Sequence, residues 1–210
     1  MTRRPSSFED VLMPTTLLPF PSEDTIGLVV RGKTSPSHDP GALEQHADCI
    51  LADGSPVGFF GEAGAGSSGR SGSGSWNSTG MNMKGVVYDY PLFKIHRPFY
   101  VGMAEAKRYS VKSTVLVITV SKAQALLFKD YWNKLKANPG SFYLLGHNCS
   151  THASDAFIYA GIITGGIPGL DTPNNLYKQL VTSFTQTVSH SGFLGFTPKA
   201  ADGYEVAVES

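Results

Sequence analysis

Gln45-His-Ala-Asp-Cys-Ile-Leu51, Ala52-Asp-Gly-Ser55 and Pro56-Val-Gly-Phe-Phe60 follow one another without a break. Two apolar-rich runs around Asp53-Gly54 spell a β-hairpin, because glycine supplies the positive φ that a tight turn needs. Side chains alternate along a strand, so His46 and Asp48 share one face and Cys49 takes the other. Upstream, Ile26-Gly-Leu-Val-Val30 reads as a short strand, and the Pro- and Ser-rich residues 32–41 as a loop. Downstream, Gly85-Val-Val-Tyr-Asp-Tyr90 resumes extended structure and Ser113-Thr-Val-Leu-Val-Ile-Thr-Val120 is a β-branched strand. Ser121 then opens a helix, with Gln124 three residues on to complete a capping box. Apolar Ala125, Leu126, Phe128, Tyr131, Trp132 and Leu135 keep a helical period until Asn138-Pro139-Gly140 ends it. Ala153, Ala156, Phe157 and Ala160 recur at helical spacing before Gly161, which predicts a helix beginning at or beside Cys149. Thr172-Pro173 caps and starts a further helix through Leu180. The tail, residues 192–210, adds a last strand near Tyr204-Glu-Val-Ala-Val208. Mixed blocks of strands and helices predict an α+β fold with an antiparallel sheet.

A chain of 210 residues fits a single domain, 1–210. Residues 1–24, with scattered apolar residues among Pro and Ser, read as an arm on its surface. Residues 61–80 hold seven Gly and six Ser, too little apolar surface to offset the entropy of ordering, and predict a mobile loop. Trp76 lies in that loop, which would follow the hairpin. Charged residues make up 16% of the chain, against about 25% in ordinary globular proteins. Lys+Arg and Asp+Glu are 17 each, so no basic surplus marks a nucleic-acid backbone binder. The apolar runs fall far short of the ~18 residues that span a bilayer. The first ten residues lack the apolar core of a secretory signal. Two cysteines make no disulfide framework, and no Cys/His cluster has zinc-ligand spacing. Neither a metal nor another cofactor is expected.

Cys149 is the candidate nucleophile. A thiol at a helix N-terminus faces backbone N–H groups and the positive end of the dipole, and both favour the thiolate. The same N–H groups would hold the oxyanion of an attacked carbonyl. A thiolate needs a base, and there are six histidines. His38 and His190 sit in Ser-rich sequence that reads as solvated loop. His96 keeps basic company in Lys94-Ile-His-Arg-Pro98. His147 and His152 flank Cys149 too closely along the chain for good in-line geometry. His46, at the start of a hairpin strand, is the one a rigid element would hold against a helix N-terminus. Without further information, a buried structural role is as good a reading for Cys149, and a better one for His46.

The segment Gln45–Gly61 resembles the His-bearing hairpin of permuted papain-like proteins. Tyr143-Leu-Leu-Gly-His-Asn-Cys-Ser-Thr-His-Ala-Ser-Asp-Ala-Phe-Ile-Tyr-Ala-Gly-Ile162 is similar to their Asn-Cys-Ser/Thr helix, and Thr172-Pro-Asn-Asn-Leu-Tyr177 resembles the segment that often follows. The superfamily is that of the NlpC-type cell-wall peptidases, in the circularly permuted branch shared with lecithin:retinol acyltransferase-like proteins, where His precedes Cys as it does here. The resemblance implies a papain-like fold with Cys149 and His46 as the catalytic pair. It also implies a polar residue on the strand after the His strand, to orient the imidazole. Counting across the turn, that place falls near Gly58, which has no side chain; Asp48 lies beside the vacancy, and Glu62 at the end of the second strand is the other candidate. A solvated hairpin carboxylate is the bland reading of each, and a bare Cys–His dyad is the alternative.

The function this implies is hydrolysis of an amide through an acyl-enzyme, the bond being a peptide bond of bacterial peptidoglycan. With no visible targeting signal and a compact domain, the expectation by analogy is a toxic effector made in the bacterial cytoplasm. A secretion machine would carry it to the envelope of a competitor, and an immunity protein would be its counterpart. Two other readings stay open: an acyltransferase, deamidase or protease acting on lipid or protein with the same site, and a non-catalytic binding module on the same scaffold.

Overall fold

A computed structural model describes residues 14–41, 45–62, 83–143, 146–184, 186–200 and 202–210. The loop expected over 61–80, with Trp76, lies outside them from residue 63 onward, and so do residues 1–13 of the N-terminal arm.

Nine strands form one antiparallel sheet among the described residues: β1 Thr15–Leu17, β2 Thr25–Arg31, β3 His46–Ile50, β4 Pro56–Gly61, β5 Met83–Tyr88, β6 Ser113–Thr119, β7 Ser141–Phe142, β8 Thr187–Pro198 and β9 Tyr204–Glu209. Their spatial order is β1-β9-β8-β6-β2-β3-β4-β5-β7. Six helices accompany them: α1 Tyr90–His96, α2 Pro98–Val101, α3 Met103–Arg108, α4 Lys122–Ala137, α5 Cys149–Tyr159 and α6 Pro173–Ser183. The mixed α and β architecture and the antiparallel sheet follow the sequence reading. None of the helices is long and apolar enough to cross a membrane.

The sheet carries helices on both faces, and the core is divided accordingly. One cluster packs Leu28, Cys49, Phe59 and Leu116 against Phe128 and Trp132 of α4, Phe157 of α5 and Leu176 of α6. The other packs Val29, Ile50, Phe60 and Val115 against Phe93 of α1 and Tyr100 of α2. Strands buried on both faces need apolar residues at every position, which is why β2 and β6 read as unbroken apolar runs.

The hairpin forms as its turn predicts, with Gly54 at φ +81°. The capping box of α4 is present, Ser121 and Gln124 each bonding the other's backbone. Three stretches differ from expectation. Extended structure ends at Tyr88, because the Asp89 carboxylate accepts from Leu92 N (3.3 Å) and caps α1, with Pro91 in its first turn. The Ser-rich stretch around His190 is not a loop but the middle of β8, paired along its length with β6 and β9. Its serines stabilise the strand from the side: Ser191 Oγ bonds Thr114 Oγ1 at 2.7 Å and Ser189 Oγ bonds Tyr177 OH at 2.8 Å. The second half of the expected arm is built into the fold, with β1 paired to β9 and both Leu18 and Phe20 buried.

Candidate active site

The site begins with the register of three strands. In the β2–β3 ladder Arg31 stands opposite His46 and Val29 opposite Asp48; in the β3–β4 ladder Asp48 stands opposite Gly58. Arg31, His46 and Asp48 therefore project from one face, where Asp48 meets Arg31 diagonally across the ladder and His46 two residues back on its own strand. His46 Nε2 donates to Asp48 Oδ1 at 2.8 Å, and Arg31 Nε donates to Asp48 Oδ2 at 2.7 Å. All three side chains are buried. Gly58 makes this possible, since a Cβ there would collide with Asp48 Oδ1. Asp48 thus fills the place left by the missing side chain on the next strand.

Cys149 arrives from the opposite layer. Asn148 caps α5, its Oδ1 accepting from Ser150 N (2.9 Å) and Thr151 N (3.0 Å). The Cys149 sulfur, at the first position of the helix, accepts a 3.4 Å hydrogen bond from Ala47 N. It is also close enough to the His46 ring for its charge to act on the imidazole; with Nε2 engaged by Asp48, Nδ1 is the nitrogen left to face it. The pair meets where β3 begins, the sulfur from the α5 side and the imidazole from the side of Phe60 and Tyr100. The oxyanion expectation for this helix end is narrowed. The N–H groups of Ser150 and Thr151 are taken up by Asn148 and are not available to an oxyanion.

The imidazole is held in plane by aromatics. Phe60 stacks on His46 with centroids 4.1 Å apart, and Tyr88 stacks on the far side of Phe60 at 4.5 Å. Tyr100 lies 5.9 Å from His46, with the Arg31 guanidinium 4.4 Å over its ring. Burial by itself would push the proton off His46. The Cys149 sulfur and the Asp48 carboxylate outweigh it and raise the imidazole to about 9. For Asp48, burial favours the acid, but the His46 and Arg31 charges win and hold the carboxyl below its ordinary value. Burial, together with the charges of Asp48 and Cys149, pushes the Cys49 thiol well up. It packs in the α4–α6 core, as the strand alternation predicts.

The other candidates are elsewhere. Glu62 is exposed at the end of β4, 3.4 Å from Lys84. His96 is exposed and stacks on Tyr88, and His38 is exposed in the loop after β2. His152 is on the buried side of α5, its Nδ1 bonded to Tyr131 OH at 2.9 Å. Burial and the neighbouring His147 push it down to about 4, so it is neutral at pH 7. Burial likewise lowers His190. The sequence reading did not include Arg31, Phe60 or Tyr100; the signal for Arg31 is a charged residue ending an apolar strand. No group of three or more His, Cys, Asp or Glu among the described residues has a metal-binding arrangement. Comparison with protein-family models, with curated proteins and with solved structures returned no match.

Proposed function

We propose that this protein is a cysteine hydrolase on a permuted papain-like scaffold, cleaving a peptide bond of bacterial peptidoglycan. One observation carries the reading: the Cys149 sulfur is docked on the backbone next to His46, whose buried ring is hydrogen-bonded to the Asp48 carboxylate. A structural thiol needs no imidazole, and a structural imidazole needs no buried carboxylate. The peptidoglycan substrate, and with it the role of an effector against competing bacteria, rests on the resemblance of residues 45–61 and 143–162 to the NlpC-type peptidases.

In the first half-reaction the Cys149 thiolate attacks the amide carbonyl and forms a C–S bond. His46 then gives its Nδ1 proton to the leaving nitrogen as the C–N bond breaks. In the second, neutral His46 takes a proton from water, whose oxygen attacks the thioester. The C–S bond breaks, and the proton on His46 again faces a thiolate. Asp48 stays ionised throughout and fixes the ring so that Nδ1 faces sulfur.

The test is mass spectrometry of defined muropeptides incubated with purified protein. Wild type is expected to release stem-peptide fragments. Cys149→Ala should release none while keeping its fold, and His46→Ala should be nearly as inactive. The two losses should not add, since either residue alone has no partner. Full cleavage by Cys149→Ala ends this reading. Transfer of the acyl group to an amine or lipid instead of water would keep the site and replace the substrate.

A further inference from the structure

Arg31 is buried at the end of β2, and its charge is used in an unusual way. Nε donates to Asp48 Oδ2 at 2.7 Å, Nη1 reaches Ser113 Oγ only at 3.4 Å, and Nη2 has no hydrogen-bond partner. A buried guanidinium that leaves a donor unmet is poor structural material. An apolar pair of the same volume is often as stable as a buried ion pair, or more so. The register adds a second observation. Arg31 stands directly opposite His46, so an imidazolium there would face a second cation across the ladder, and Asp48 lies between the two.

We propose that Arg31 is a positioning residue of this site: it keeps Asp48 charged and turned so that one oxygen is held by Arg31 and the other holds the proton on His46. This rests on the cysteine-hydrolase reading. The groups that face Asp48 and His46 are few. Arg31 comes from β2, Ser113 from β6, Tyr100 from α2 and Cys149 from α5. Arg97, at the start of α2, acts on Tyr100 at longer range, and Cys49 lies across the sheet. Arg31 is the one cation among these bonded to the Asp48 carboxylate. Removing it lets the buried Asp48 take up a proton. His46 then loses the charge that retains its own proton, and the thiolate loses its imidazolium at a lower pH.

The measurement is the rate of Cys149 alkylation by iodoacetamide from pH 5 to 10, followed on intact protein by mass. Wild type should label on a plateau at neutral pH. His46→Ala should label slowly, with a midpoint near that of an ordinary thiol, about 8.5. Arg31→Met should lose the plateau and label about tenfold more slowly at pH 6–7; Arg31→Lys should recover part of it. If Arg31→Met is folded and keeps the wild-type profile, Arg31 is only structural and the proposal fails. If Arg31→Met does not fold, the double variant Arg31→Met/Asp48→Asn, which buries no lone charge, decides. It should label no more slowly than Asp48→Asn alone, and a further tenfold loss would show Arg31 acting independently of Asp48, overturning the proposal. Should wild type label no faster than His46→Ala, the hydrolase reading itself falls, and this inference with it.

Discussion

The proton on His46 links the site to stability. The folded imidazole titrates at about 9, above the ordinary value near 6.5. Its stabilisation is therefore fully present below pH 6.5 and is lost as pH rises through 9. Asp48, held below its ordinary value, contributes in the opposite sense: its share is present above the usual carboxylate range and lost as pH falls through the folded value. Both contributions are present together from about pH 5 to 6.5. Thermal unfolding from pH 5 to 10 should show wild type losing more of its melting temperature above pH 7 than His46→Ala does. Parallel curves would mean that His46 carries no extra proton in the fold. Of these residues, Cys149 and His46 could be placed from the sequence at the first position of a helix and of a strand, but only the family resemblance singled them out as a pair. Asp48 was legible from strand alternation. Arg31 was not, because only the pairing register of β2 with β3 brings it to His46, and register is a tertiary property.

The hairpin decides at the element scale whether the carboxylate has room. Asp48 faces Gly58 across the ladder, and a Cβ at Gly58 would collide with Asp48 Oδ1. Gly58→Ala should destabilise by about 1–3 kcal/mol through overpacking and should slow Cys149 alkylation by displacing the carboxylate from His46. In an Asp48→Ala background the methyl group has space, so the second substitution should cost much less than the first. Urea unfolding of the four proteins of this cycle measures the coupling; simple additivity would show that Gly58 serves some other purpose. Helix α4 was legible because cap, periodicity and stop signal coincide in it, α5 through its periodicity and Gly161, and α6 through Thr172-Pro173. The short helices α1–α3 run four to seven residues and offer too few turns for a period to show. In β8 the serines looked like loop chemistry, since their hydroxyl partners, on β6 and α6, lie some 77 and 12 residues away in the chain.

At the scale of the molecule, the two halves of the site come from different layers and are held in step by the start of α6. Gln45, next to His46, accepts from Asn174 N at 2.8 Å and donates to Pro40 O at 2.7 Å and to Gly41 O at 2.9 Å. Asn174 Oδ1 accepts from the buried Lys33 amine at 2.9 Å, and burial lowers the proton affinity of that amine. On the other side, Asp171 O accepts from Ser150 Oγ at 3.1 Å, and the Asp171 carboxylate accepts from Thr151 Oγ1. The segment 171–174 therefore grips the strand that carries His46 and the helix that carries Cys149. Sequence showed Thr172-Pro173 as a helix start but not as a clamp, because its partners lie some 20 to 140 residues distant. Gln45→Ala removes a side chain that bonds three backbone groups and leaves Asn174 N buried without its acceptor. At about 1–3 kcal/mol for an unmet buried polar group, the fold should survive with reduced stability. The Cys149–His46 distance should loosen, so the neutral-pH alkylation plateau should fall several-fold under conditions where the protein remains fully folded. Gln45→Glu, which keeps the acceptor for Asn174 N but loses the donors to Pro40 and Gly41, should lie between. A Gln45→Ala protein that is less stable yet keeps the full plateau would show that α6 supports the fold without aligning the pair.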